Sequence, residues 1–321
     1  MPSACVSEFD LVNHCFKRST RQTLLGIGDD GALIAPTPGH ELVVSTDLLV
    51  EGVHFFPDVP PEDLGWKTLA VNISDMAAMG AQPRWATLGI AVPPAPTLDW
   101  MGAFADGFFA CAERFGVDLI GGDTTRSAPH CRVFSVTIMG EVPRGLALRR
   151  DGAQAGDHVW VSGTPGRAGM GLAHLQGHLN LTEPQRADCL AALLRPQPRV
   201  ELGLALRGIA HAAIDVSDGL LADLGHILVA SGLSATLDTL PAELTEAYLN
   251  GGDDYELVFT AAAESEADII AIGETLKLPL TRIGSTSSMG NLNDGRPNNI
   301  RVLDANGRDI TPARRGFDHF R

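Results

Sequence analysis

Apolar residues near the start of the chain recur at helical spacing. Phe9, Leu11, Val12 and Phe16 fall on one side of an amphipathic helix predicted over 3–19. Short apolar runs at 24–27, 42–44, 86–92, 117–120 and 133–139 read as strands. Helical periodicity runs through 66–81 and 98–115, the second with Asp99 near its start and Gly116 just past its end. The polar, turn-rich RRDGAQAGD at 149–157 predicts a boundary near residue 150. Beyond it the alternation resumes, with strands at 159–162, 212–216 and 257–260 and helices at 169–175, 182–194, 200–207 and 219–231. Pro196 and Pro198 separate the second of these helices from the third. The Gly-, Asn- and Ser-rich stretch 284–300 reads as an exposed loop or hairpin tip. Mixed strands and helices in both halves predict an α/β or α+β protein with two domains, 1–150 and 151–321.

Charge narrows the partners. The 321 residues include 24 Lys and Arg against 39 Asp and Glu, a formal charge of −15. With no basic surplus to neutralise a phosphate backbone, sequence-independent nucleic-acid binding is not expected. No apolar run approaches the roughly 18 residues of a membrane span. Glu8, Asp10 and His14 interrupt the N-terminal segment, so no signal peptide is expected there. The five cysteines, Cys5, Cys15, Cys111, Cys131 and Cys189, are odd in number and form no CxxC. Reduced thiols in a cytoplasmic protein are the expectation.

Candidate chemistry lies in the aspartates. Five apolar runs end in a carboxylate beside Gly, Ser or Thr: Asp29 and Asp30 in LLGIGDDGALI, Asp47 in LVVSTDLLVEGVHF, Asp75 in AVNISDMAAMGA, Asp123 in DLIGGDTT, and Asp215 and Asp218 in AAIDVSDGLLADL. One such aspartate is ordinarily a helix cap or turn residue. Asp75 departs from that reading, because it sits inside a helical stretch of small and apolar residues. A buried carboxylate there needs a cation or strong donors. Asn72 lies three residues earlier on the same helical face. Cationic side chains are scarce near these motifs, so a hard divalent cation bound through oxygen, Mg²⁺ above all, is the natural partner. Zinc does not suit a set with one neighbouring histidine, His54, and no cysteine. No G-x-x-x-x-G-K-[ST] loop or strand-flanked G-x-G-x-x-G occurs. Gly121-Gly122-Asp123-Thr124 instead offers bare backbone N–H groups beside a carboxylate, a pattern that holds either a nucleotide phosphate with its metal or a plain tight turn.

Together GIGDD, STDLLVEGVHF, WKTLAVNISDMAAMGA, GGDTT, LRRDGAQAGD, TPG at 164–166, IDVSDGL and GGDDYEL resemble, in order, the thiamine-monophosphate kinases of the PurM-like ATP-binding superfamily. The resemblance runs from Phe9 to Gly316-Phe-Asp-His-Phe. It implies a two-domain PurM-like fold: an N-terminal mixed sheet with helices that forms a barrel in a homodimer, and a C-terminal α/β domain that completes the active site. It implies γ-phosphate transfer from ATP to thiamine monophosphate. Asp30, Ser45, Thr46, Asp47, Asp75, Asp123, Asp215 and Asp218 would carry several Mg²⁺ ions, with Asp47, Asp75, Asp123 and Asp215 as the catalytic carboxylates. Gly122, Asp123, Arg150 and Ser217 would contact ATP; the family spacing selects Arg150 over Arg149. His54, Glu256 and Phe317 would hold the thiamine moiety.

The chemistry agrees with the residues. A phosphate acceptor is already an oxyanion and needs no general base; the difficulty is bringing two polyanions together, which carboxylate-bound Mg²⁺ offsets. The alternatives are a sibling ATP-dependent synthetase, such as aminoimidazole ribonucleotide synthetase or selenophosphate synthetase, and a non-catalytic nucleotide binder. Cys5 and Cys15 lack the Gly-rich context that a selenophosphate synthetase needs.

Overall fold

The computed structural model describes residues 8–241, 246–289, 299–313 and 316. The chain divides into two compact units: Met1–Met76 with Gln82–Arg144, and Ala77–Ala81 with Gly145–Arg321.

The first unit opens with a short helix α1 (Glu8–Leu11) that continues as a π-turn over Val12–Phe16. Its four strands are β1 (His40–Val50), β2 (Gln82–Val92), β3 (Asp118–Arg126) and β4 (Val133–Pro143), in sheet order β1-β4-β2-β3. β4 pairs antiparallel with β1 and β2, whereas β2 and β3 are parallel, so the sheet is mixed. Helices α2 (Pro61–Ala78) and α3 (Leu98–Phe115) supply the apolar layer. α3 matches its sequence signals: the Thr97 hydroxyl accepts the Trp100 N–H, and Gly116 ends the helix at φ 70°. Phe104 of α3 stacks on Phe134 of β4 with ring centroids 4.5 Å apart, both fully buried. The apolar run at 24–27 does not join this sheet; it makes only isolated bridges, Leu25 to Leu33 and Ile27 to Asp29, and Leu24 is 75% exposed. Asp118 ties down the start of that loop, accepting the Arg21 and Gln22 N–H groups at 2.8 and 2.7 Å.

In the second unit a six-stranded mixed sheet has the order β10-β7-β9-β5-β8-β6. The chain order is β5 (His158–Ser162), α4 (Arg167–Leu175), α5 (Gln185–Leu194), α6 (Val200–Ala205), β6 (Ala210–Asp215), α7 (Leu220–Ser231), β7 (Leu233–Leu237), α8 (Glu246–Asn250), β8 (Leu257–Ala261), α9 (Glu266–Leu276), β9 (Leu280–Ser288) and β10 (Ile300–Val302). Leu220, Leu224 and Ile227 of α7 pack with Val159, Ile214 and Ile283 into its core. The predicted loop at 284–300 is in part strand: residues 284–288 extend β9, β10 begins at 300, and 290–298 lie outside the described residues. Among the described residues, no helix is long and apolar enough to cross a membrane.

Candidate active site

Side chains along a strand point alternately to opposite faces, and β1 uses both. Ser45 and Asp47 face α2. The Asp47 N–H donates to Asn72 Oδ1 at 3.0 Å, and the Ser45 hydroxyl donates to Asp75 Oδ2 at 2.5 Å. Asn72 donates in turn to the Thr68 carbonyl at 3.1 Å, one helical turn back. Two carboxylates, Asp47 and Asp75, are thereby fixed on facing elements. Burial first, and the Asp75 charge second, push the Asp47 carboxyl up to about 7. A carboxylate pair with a hydroxyl and an amide oxygen beside it fits a hard divalent cation, which would offset both effects.

Thr46 points the other way. Its hydroxyl meets that of Thr137 on β4 at 2.8 Å, on the exposed face of the sheet. Asp30 is exposed, and its N–H bonds to Asp29 Oδ1 at 2.9 Å.

Gly122 and Asp123 lie on the exposed half of β3, paired with Leu88 and Gly89 of β2. A Cβ at Gly122 would fall 2.0 Å from the Leu88 carbonyl oxygen, so only glycine lets the two strands approach here. A small cavity of about 100 Å³ beside them is lined by Leu88, Ile90, Gly121, Asp123 and Thr124, among others. His54 is half-buried in the turn after β1, and its Nδ1 accepts the Val50 N–H at 3.0 Å. The neutral ring therefore carries its proton on Nε2.

In the second unit the IDVSD and GGDDYEL motifs run side by side. Asp215, buried at the end of β6, pairs with Leu257. The pairing continues past the strands through Val216 N–H to Glu256 O at 2.8 Å, Tyr255 N–H to Val216 O at 2.9 Å and Asp253 N–H to Ser217 O at 2.8 Å. One oxygen of Asp223 accepts the N–H groups of Ser217, Asp218 and Gly219. Arg149 is held by Asp151 at 2.8 Å, while the neighbouring Arg150 is exposed and its carbonyl accepts the Ser231 hydroxyl. Asp254 accepts the N–H groups of Gly166 and Ala168, so one motif pins the TPG turn and the start of α4. Burial, against those two bonds, pushes Asp254 up to about 7.

Glu256, expected to hold the thiamine moiety, is enclosed by protein groups. It is 1% exposed; the Arg199 guanidinium grips it with two bonds of 2.6 Å, the Ser162 hydroxyl donates at 2.6 Å, and Arg167 stands 3.7 Å away. Phe317 lies outside the described residues. Gly316 before it is close against Ala222 and the Asp218 carbonyl. Sequence reasoning missed Asp223 and Arg199. Asp223 stands in the quoted AAIDVSDGLLADL, but nothing in a linear motif shows a side chain folding back on its own turn.

Residues 28–142 match the N-terminal domain of AIR synthase related proteins, and 154–292 match their C-terminal domain. The thiamine-monophosphate kinase of Salmonella typhimurium is 42% identical over 339 aligned residues, spanning 99% of each chain. Among solved structures, the thiamine-monophosphate kinase of Stenotrophomonas maltophilia superposes with a TM-score of 0.80 at 48% identity, covering 92% of this chain and 96% of its own. AaThiL complexed with AMPPCP and TMP superposes with a TM-score of 0.74 at 30% identity, covering 98% and 97%. The mixed sheets, the motif order and these likenesses agree: the chain belongs to the AIR synthase related family and, within it, to the thiamine-monophosphate kinases.

Proposed function

We propose that the chain transfers the γ-phosphate of ATP to thiamine monophosphate, giving thiamine diphosphate and ADP. The observation that carries the reading is the facing pair Asp47 and Asp75, positioned on β1 and α2 by Asn72 and Ser45, with burial and the Asp75 charge together raising the Asp47 carboxyl. Support for the substrates comes from relatives named for this reaction and from AaThiL, whose complex holds AMPPCP and TMP.

Asp30, Asp47, Asp75, Asp123, Asp215 and Asp218 are the proposed Mg²⁺ carboxylates, with the Ser45 hydroxyl and the Thr46 carbonyl as further oxygen ligands. When bound, Mg²⁺ would neutralise phosphate charge and let an anionic acceptor approach an anionic donor. The protein's own groups do the positioning. Gly122 leaves β3 open beside Asp123, and the exposed Arg150, with Arg149 engaged by Asp151, is the guanidinium proposed for ATP, with Ser217. His54, with Nδ1 occupied, would present an Nε2–H donor to the thiamine phosphate. Glu256 acts on the substrate side by holding Arg199 and Arg167. Phe317 is proposed to stack on a thiamine ring.

The partner is a second copy of the chain. β1 is an edge strand, and Leu42, Val44 and Leu48 on its outward face are 44, 59 and 50% exposed. Val44→Glu should convert a dimer to a monomer in analytical ultracentrifugation. A reducing cytoplasm suits Cys15, Cys111, Cys131 and Cys189, all of them free thiols.

The test of the reaction is a phosphoryl-transfer assay with ATP and Mg²⁺ against thiamine, thiamine monophosphate and the aminoimidazole precursor. Thiamine monophosphate alone should accept phosphate. Comparable turnover of free thiamine would count against the reading, because a hydroxyl acceptor needs a general base.

A further inference from the structure

We propose that Asp223 is a positioning residue for the turn that carries Ser217 and Asp218. This rests on the function proposed above. A single oxygen, Asp223 Oδ2, accepts three consecutive backbone N–H groups, from Ser217 at 3.0 Å, Asp218 at 3.0 Å and Gly219 at 3.1 Å. Three converging N–H groups form a nest, the backbone shape that binds a phosphate oxygen or another anion. Here the protein fills the nest with its own carboxylate. Asp223 is 2% exposed, and its own N–H donates to the Gly219 carbonyl at 3.0 Å, which closes the first turn of α7 beneath it.

Other groups fix the same turn from its opposite side. The Ser217 carbonyl accepts the Asp253 N–H at 2.8 Å. Gly219 adopts φ 124°, and a Cβ there would fall 2.8 Å from the Asn250 carbonyl oxygen. The nest is therefore closed to an outside anion. The N–H groups of Ser217 and Asp218 are taken up by Asp223, so their side chains act on nucleotide or metal in directions set by peptide planes that Asp223 locks. Loss of the Asp223 carboxylate would leave three N–H groups unpaired and the turn free to rotate, although Asp218 itself would be unchanged.

Asp223→Ala and Asp223→Asn separate positioning from a merely structural role. With positioning, Asp223→Ala should raise the KM for ATP about tenfold or more while the KM for thiamine monophosphate stays within about twofold. Amide hydrogen exchange at Ser217, Asp218 and Gly219 should quicken by about a hundredfold in the protein without ligands. Asp223→Asn keeps one acceptor oxygen and should recover most of the loss, leaving the KM for ATP raised about threefold. A lower melting temperature with an unchanged KM for ATP in Asp223→Ala overturns the proposal. If Asp223→Ala does not fold, Asp223→Asn decides by the same criterion. Failure of the functional reading is seen separately: a wild type without transfer to thiamine monophosphate overturns that reading, while the exchange comparison still reports whether Asp223 holds the turn.

Discussion

The Asn72 side chain ties α2 to β1 at the backbone of Asp47, its amide oxygen accepting the Asp47 N–H at 3.0 Å while its own N–H₂ donates to the Thr68 carbonyl. Asn72 is 1% exposed, so neither bond can be replaced by water. Asn72→Ala leaves a buried N–H unpaired and should cost about 1–3 kcal/mol. The expected outcome is a melting temperature lower by about 3–8 °C, together with weaker Mg²⁺ binding in titration calorimetry. An unchanged melting curve would show that the β1–α2 junction does not depend on this bridge.

Asp75→Asn tests the carboxylate pair itself. The amide is nearly isosteric and can still accept the Ser45 hydroxyl, so the fold should persist. Its charge is gone, and with it a cause of the raised Asp47 carboxyl. Activity should fall by about a hundredfold or more. Stability without metal should hold or rise, because two like charges no longer face each other. Thermal melts with and without Mg²⁺ check this: the stabilisation that Mg²⁺ gives the wild type should shrink in the variant. Near-wild-type kcat would make Asp75 a structural residue.

What the sequence disclosed followed from local signals. The helix at 98–115 is bounded by Thr97 and Gly116, whose cap roles depend on side-chain chemistry within one turn. β9 was hidden because LTRIGSTSS has no apolar run; its burial is supplied by β5 and β7 on either side, not by its own composition. The run at 24–27 misled for the opposite reason, being apolar but left outside the sheet. In the site, the aspartates were legible as motifs, whereas their supports were not. Arg199 stands 57 residues from Glu256, and Asp118 bonds amides 96 and 97 residues away. Such pairs form only when segments far apart in sequence are brought together, and no linear spacing encodes them.

Arg150 and Arg149 differ in what already holds them. Arg149 is paired with Asp151 at 2.8 Å, while Arg150 is exposed and contributes its carbonyl to the fold. An arginine on phosphate makes bidentate bonds that a lysine cannot copy. Arg150→Lys should raise the KM for ATP about fivefold to tenfold and leave the KM for thiamine monophosphate unchanged. Arg149→Lys should leave both unchanged. Steady-state kinetics with each substrate varied in turn distinguishes the two, and the reverse pattern would reassign ATP contact to Arg149.

Asp254 gives stability a pH dependence that one substitution isolates. Burial raises its carboxyl from the ordinary 3.8 to about 7, although the Gly166 and Ala168 N–H groups pull the other way. Between those two values the folded protein holds a proton that the unfolded chain has released. Stability from this group is therefore full below about pH 4, falls as pH rises towards 7, and is level above that. At 1.36 kcal/mol per pH unit over about three units, the whole decline is on the order of 4 kcal/mol, an upper bound for a group that relaxes on ionisation. Asp254→Asn cannot ionise, and its single amide oxygen can serve only one of the two N–H donors. The variant should thus be less stable than wild type at pH 5 by about 1–3 kcal/mol, the cost of an unpaired buried donor. Its stability should also decline less steeply than the wild type's from pH 5 to 7, so that the two curves converge near neutrality. Denaturant melts at half-unit pH steps read both features. Parallel curves would mean that Asp254 is ionised throughout, with the TPG turn held by a charged acceptor.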